Sequence, residues 1–254
     1  MQLTFLGTGT SQGVPMIACD CKVCQSDDPR DKRLRTSALL QTDDLTIVID
    51  AGPDFRQQML RRQVKQLDAV VLTHEHKDHV GGLDDVRAFN YFMQRSMPIY
   101  AEPRVMTALH REYAYAFAEN KYSGVPEMDL HPITEEPFFI KHKKIIPIRG
   151  LHCKLPVLGF RIDDMVYLTD MNAISDESMQ SIKGCKSLVI NALRKEPHGS
   201  HFTLAQALKI IDTAKPQQAY LTHISHQLGR HADVQNELPA NVFLAHDGLV
   251  VNNE

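Results

Sequence analysis

Apolar positions along this chain follow two spacings. Short runs such as Ile47-Val48-Ile49, Ala69-Val70-Val71-Leu72 and Leu188-Val189-Ile190 are rich in β-branched residues and too short for helices. They predict buried strands. Val166-Tyr167-Leu168 and Ala219-Tyr220-Leu221 repeat the pattern. Elsewhere the period lengthens. Val105, Leu109, Tyr113 and Phe117 stand four apart and predict one helix, and Tyr91-Phe92 marks another aromatic-rich helical stretch. Thr203-Leu204-Ala205-Gln206 reads as a capping box, with Leu204, Leu208 and Ile211 on one face of the helix that follows. The stretch from Lys121 to Pro137 has three prolines and little periodicity, so a long surface connection is expected there. No linker rich in Gly, Ser or Pro divides the chain. The expectation is one layered α/β domain over residues 1–254.

The strand endings carry the chemistry. Three runs pass through Leu-Thr into a metal-ligand type of residue: Leu72-Thr73-His74, Leu168-Thr169-Asp170 and Leu221-Thr222-His223. Strands of an α/β sheet deliver functional side chains at their carboxyl ends, so neighbouring strands would bring these residues to one site. The first ending continues as His74-Glu75-His76-Lys77-Asp78-His79, four potential ligands in six residues. On an extended turn His74 and His76 point the same way, and a helical turn after them presents Asp78 and His79 to an adjacent point. One segment can therefore serve two metals. Imidazole with carboxylate suits zinc, manganese or iron.

Composition narrows the setting. At 254 residues with 43% hydrophobic content the chain can bury a sizeable core, and its net charge of −3 gives no bulk attraction to nucleic acid or anionic membrane. Met1-Gln2-Leu3-Thr4-Phe5-Leu6 lacks the basic start and long apolar stretch of a signal peptide, and no stretch approaches the ~18 apolar residues of a membrane span. A cytoplasmic protein is expected. Arg30, Lys32, Arg33 and Arg35 form the best basic cluster, but Asp27, Asp28 and Asp31 dilute it, and a solvated face is the expectation.

Five cysteines are present, three of them as Cys19-Asp20-Cys21-Lys22-Val23-Cys24. In a reducing compartment this spacing points to a metal site, three thiolates that need a fourth ligand for a tetrahedral zinc. Cys153 and Cys185 stand alone and read as small apolar residues. Gly7-Thr8-Gly9-Thr10-Ser11-Gln12-Gly13 follows a strand but matches neither a P-loop nor G-x-G-x-x-G, and predicts a tight turn. Asp50, at the end of Ile47-Val48-Ile49, is expected to stand behind a ligating histidine and orient it.

These features together resemble the metallo-β-lactamase superfamily. The glycine-rich start with Gln12-Gly13-Val14-Pro15, the C-x-C-x-x-C cluster and Leu221-Thr222-His223-Ile224-Ser225-His226-Gln227 are most similar to the phosphoribosyl cyclic phosphodiesterases of the PhnP type. The resemblance implies a four-layer αββα sandwich. It implies one divalent metal, Mn or Zn, held by His74, His76 and His152, and a second by Asp78, His79 and His223, with Asp170 bridging. Such a pair can share a hydroxide and bind both non-bridging phosphate oxygens. The resemblance places Asp78 and His201 in the chemistry, His201 as the general acid that protonates a departing sugar alkoxide, with His198 as a rival. It also supplies His226 as the fourth ligand of a structural zinc held by Cys19, Cys21 and Cys24. A homodimer is common in the superfamily.

The segments from the metal motif to His152 and from Asn191 to His198 depart from the family pattern. The expected function is metal-dependent hydrolysis of a small phosphodiester, a cyclic ribose phosphate among the candidates. Its alternatives are a tRNA-processing endonuclease, which usually carries a long basic arm not visible here, and a metal-dependent sensing protein without turnover. A thioester hydrolase or true β-lactamase would share the metal ligands without needing the cysteine cluster.

Overall fold

A computed structural model describes residues 1–252. One sheet has the strand order Val250–Asn252, Gln2–Gly7, Ser37–Gln41, Thr46–Ile49, Ala69–Val71, Met97–Ala101, Met128–Pro132. The second runs Ala173–Ile174, Lys143–His152, Leu155–Ile162, Met165–Tyr167, Ser187–Asn191, Gln218–Thr222, Val242–Leu244, with Phe138–Ile140 paired to Lys143–His152. Both sheets change from antiparallel to parallel pairing part-way across, the first at Thr46–Ile49 and the second at Met165–Tyr167. Strands on the parallel side carry the ligand-type endings.

Alternation along each strand builds the layers. Ile47 and Ile49 of the first sheet meet Leu158, Phe160 and Tyr167 of the second in a core between the sheets. Val48, between them, faces outward onto Phe55, Met59, Val105 and Leu109, from the helices Phe55–Arg62 and Pro103–Glu112. On the other side Val166, Leu168, Leu188 and Leu221 pack against Leu204 and Ile211 of the helix Leu204–Ala214 and Val234 of the helix His231–Glu237. Both faces of each sheet are covered, which is why these strands read as unbroken apolar runs. The result is a four-layer αββα sandwich, the architecture that the resemblance implies.

Several expectations need correction. Residues 128–132, inside the expected surface connection, form a strand paired in parallel with Met97–Ala101. It lies at the sheet edge, where half-buried polar positions and a terminal proline are tolerated and leave little alternation to read. The single helix through Val105 and Phe117 is two, Pro103–Glu112 and Ala114–Phe117, broken at Tyr113. The Tyr113 hydroxyl donates to the Val80 carbonyl at 2.7 Å, fastening this pair to the metal motif. The basic cluster is a solvated face only at Arg30 and Lys32, which are exposed. Arg33 is buried and donates to Thr8 Oγ1 and the Ala245 carbonyl, while Arg35 pairs with Asp54 and Arg30 with Asp28. Cys185 is buried as expected, but Cys153 is exposed. The capping box at Thr203 and Gln206 forms in full. Among the described residues no helix is long and apolar enough to cross a membrane.

Candidate metal centre

Each sheet sends side chains into the same gap. From the first come Asp50 and the segment His74–His79; from the second come His152, Asp170 and His223. His76 is extended and precedes the short helix Lys77–Val80, so the motif changes from strand-like to helical between its two pairs of ligands. Asp50, Asp170 and His223 all adopt left-handed backbone, with φ of 64°, 54° and 53°. An L residue there costs about 1–2 kcal/mol, least for Asp. Each bends the chain sharply at a strand end, and surrounding hydrogen bonds hold the bend: Asp50 N–H donates to Val71 O, and Ile224 N–H to Thr8 O.

Asp170 lies at the centre. Its Oδ2 is 3.1 Å from His79 Nε2 and 3.6 Å from His74 Nε2, while its Oδ1 is 2.7 Å from His223 Nδ1. Three sets of donor atoms fall within 4.8 Å of one another: His74, His76 and Asp170; His79, Asp170 and His223; His152, Asp170 and His201. Asp78 Oδ2 stands 3.2 Å from His79 Nε2. The His152 ring lies 5.1 Å from that of His76. All seven expected ligands thus converge, and His201 joins them, its ring 4.6 Å from His152 and 4.8 Å from His223. His198 is exposed, 5.1 Å from His201 on the outer side.

The ligands are held from behind. Asp50, fully buried, accepts from His79 Nδ1 at 2.7 Å and from the amide and hydroxyl of Thr73. Thr73 Oγ1 meets His74 Nδ1 at 3.0 Å, and His152 Nδ1 donates to the Ser200 carbonyl at 2.8 Å. These contacts leave the Nε2 atoms facing inward. His74 Nε2 is buried without a hydrogen-bond partner. Burial and the neighbouring His79 hold the His74 imidazole well below its ordinary value. His79 is buried too, yet Asp170, Asp78 and Asp50 keep it well above. Three carboxylates converging on one imidazole retain a proton, and a divalent cation would take that proton's place. An orphaned inward nitrogen and surplus negative charge are what a metal site requires. Asp50→Asn is therefore expected to weaken metal binding about 10–100-fold while the chain stays folded; titration against a competing chelator reads this, and unchanged affinity would remove Asp50 from the site.

The thiolate cluster assembles as a separate group. Cys19 Sγ and Cys21 Sγ each lie 3.3 Å from His226 Nδ1, and Cys24 completes a set of four donors. Zn–S of about 2.3 Å and Zn–N of about 2.0 Å put neighbouring ligands of a tetrahedron roughly 3.5 Å apart, so the spacing fits that ion. Burial pushes the Cys21 thiol up, but the Cys24 amide and His226 outweigh it and bring it down to about 6. Burial of Cys24 pushes its thiol up to about 11. One sulfur is ready as thiolate; the other ionises only with a metal.

Sequence reasoning missed Thr73, Thr169, Ser200 and Asn172. Thr169 Oγ1 donates to Asp170 Oδ1 at 3.0 Å, as Thr73 does to Asp50. The repeated Leu-Thr before each ligand was the available signal, and it holds for Thr73 and Thr169, whereas the buried Thr222 hydroxyl has no hydrogen-bond partner. Nothing in the sequence marked Ser200, which acts through its carbonyl, or Asn172, whose side chain bonds Gly199 O and Cys153 N.

Residues 46–224 match the β-lactamase superfamily domain. The range includes every ligand of the paired cluster and stops two residues short of His226. A crystal structure of a diphosphatase of the PhnP family superposes with a TM-score of 0.93 at 40% identity, covering 98% of this chain and 96% of that one. Zn2+-bound PqqB from Methylobacterium extorquens shares the fold at a TM-score of 0.83 and 17% identity, over the full length of both chains. An octanoyltransferase of Porphyromonas gingivalis is 42% identical over 98% of this chain but 51% of its own length, so this chain spans about half of that relative. With the fold, the ligand geometry and the thiolate cluster in place, the chain belongs to the metallo-β-lactamase superfamily, and within it to the PhnP type.

Proposed function

We propose that the chain is a metal-dependent phosphohydrolase that cleaves a small phosphodiester or diphosphate at the paired cluster. One observation carries the reading: Asp170 belongs both to the donor set with His74 and His76 and to the donor set with His79 and His223, as a carboxylate shared by two cations would. The family resemblance adds His152 to the side of His74 and His76 and Asp78 to the side of His79 and His223, with Asp170 shared. A bound pair of manganese or zinc ions supplies Lewis-acid charge for the phosphoryl oxygens and lowers the pKa of attacking water. Asp78 and His79 face Asp170, and His201 faces the same point from the second sheet.

The state of His201 bears on the leaving group. Burial, reinforced by His223, pushes its imidazole down to about 3, so the free chain holds it neutral. As a general acid it needs the negative charge of a bound phosphate to raise it before it can donate. A sugar alkoxide requires that proton; a departing phosphate does not. The similarity to a diphosphatase gives the second class equal standing. His201→Gln should therefore lower kcat about 100-fold on a ribose cyclic phosphate and only a few-fold on a diphosphate ester, with metal content unchanged. Loss of one metal in that variant would move His201 into the ligand set.

Internal pairing of Arg30, Arg33 and Arg35 favours a small substrate over tRNA. The relative named an octanoyltransferase, of which this chain spans about half, adds a second reading to test, action on an octanoyl group at the same centre. One panel separates them: ribose 1,2-cyclic phosphate, a linear bis-aryl phosphate, a nucleoside diphosphate ester, a tRNA precursor and an octanoyl thioester, each with chelated chain restored by manganese or zinc. Turnover of a small phosphate substrate supports the proposal; cleavage of the tRNA precursor alone, or of the thioester alone, replaces it; silence on all five favours a sensing protein.

A further inference from the structure

The segment from the strand Ser187–Asn191 to the helix Leu204–Ala214 carries both His198 and His201, and residues 195–199 of it are exposed. Buried Ala192, Leu193 and Phe202 anchor its two ends, but the exposed residues between them have no apolar anchor, and their shape depends on hydrogen bonds. Arg194 provides several of them. Its Nη2 donates to the Pro197 carbonyl at 2.7 Å and its Nε to the Glu196 carbonyl at 3.3 Å, folding the loop back on itself. Its Nη1 donates to Gln227 Oε1 at 2.8 Å, and Gln227 directly follows His226 of the thiolate cluster. The far end of the same loop meets the paired cluster, where Gly199 O accepts from Asn172 Nδ2 and Ser200 O accepts from His152 Nδ1.

We propose that Arg194 is a positioning residue for the paired metal centre. It sets the 194–201 loop so that the Ser200 carbonyl fixes the His152 ring and His201 faces Asp170. It also ties that arrangement to the thiolate cluster through Gln227, so the two metal sites share one mechanical link. Only an arginine can do this, because its planar fork sends N–H donors to three acceptors in different directions, whereas a lysine ammonium cannot reach all three at once. The segment from Asn191 to His198, whose sequence departs from the family pattern, is where this link lies. The inference rests on His152 being a metal ligand.

The test uses the full chain with its thiolate site loaded, and compares Arg194→Gln, Arg194→Lys and Gln227→Ala with a control, Lys195→Gln. Lys195 lies on the same loop but points outward to Glu237. Manganese is titrated into the paired site against a competing chelator, and kcat and KM are measured on the best substrate of the panel. Both Arg194 variants should weaken manganese binding roughly tenfold and lower kcat by a similar factor, with KM little changed. One zinc per chain and the melting temperature should be retained, and the lysine should not rescue. The control should match the parent chain. Parent-like manganese affinity in Arg194→Gln overturns the proposal. If that variant fails to fold, Gln227→Ala decides, and unchanged affinity there overturns the link. A parent chain inactive on every substrate refutes the phosphohydrolase reading, while the titration still tests Arg194.

Discussion

Asp170→Asn is expected to abolish turnover and empty the paired site, with kcat/KM falling by about three orders of magnitude or more. Asparagine keeps the size of the side chain and tolerates the left-handed backbone that this position needs at φ 54°. Alanine would add backbone strain and a cavity to the loss of charge. What asparagine removes is the second anionic oxygen. In the parent chain burial raises the Asp170 carboxyl, but His223 and His79 outweigh it and hold it well below the usual carboxylate range, so it is an anion throughout the working pH range. A carboxylate between two cations stabilises both, and several kcal/mol of transition-state charge stabilisation is at stake. About 4 kcal/mol corresponds to roughly 1000-fold in rate. Elemental analysis after dialysis should find the thiolate-site zinc alone. Near-parental turnover with two paired-site metals present would defeat the bridging role of Asp170.

Most of the candidate metal-binding residues were legible because their chemistry is local, whereas His152 came through family resemblance. His74, His76, Asp78 and His79 follow one another in a motif whose change from extended to helical backbone can be read from spacing, and the structure reproduces it. Asp170 and His223 were legible because each follows a strand-like run. The thiolate cluster could be read as far as three ligands; His226, more than 200 residues away, came only through family resemblance. Edge elements were harder. Met128–Pro132 is half-buried with polar and proline residues, so it lacks the alternation that reveals a strand. Carbonyl contacts were hardest of all, because Ser200 acts through a group that every residue possesses. Arg33 misled for a related reason: a basic residue in a charged stretch reads as solvated, and only the fold shows Thr8, Ala245 and His231 closing around it.

Cys21→Ser should release the structural zinc and loosen the segment from Ser11 to Ser26. That stretch contains no helix and no strand, and few of its side chains are buried. The Val14–Arg33 bridge and the Ser26–Asp31 bond fix its two ends, and between them the four-donor cluster is the support. Zinc binding in small domains is worth about 10–16 kcal/mol of folding free energy. Here the αββα core stands apart from the loop, and a smaller cost of about 3–5 kcal/mol is expected, or roughly 10 °C in melting temperature for a chain of this size. Serine cannot replace the ligand, because its hydroxyl does not ionise where the Cys21 thiol, held near 6, already does. The same property sets a pH dependence. In the zinc-free chain Cys24, pushed up to about 11, already holds a proton through the neutral range, and below about 6 Cys21 takes one as well, so zinc loss from the parent chain to a chelator should rise as pH falls and rise more steeply below about 6. Zinc counting, calorimetry and limited proteolysis at residues 11–26 read the three consequences. Because Gln227 next to His226 is held by Arg194, kcat should fall modestly in Cys21→Ser as well, although no ligand of the paired centre has been touched. A variant that keeps one zinc and its melting temperature would show that the cysteines do not support this loop.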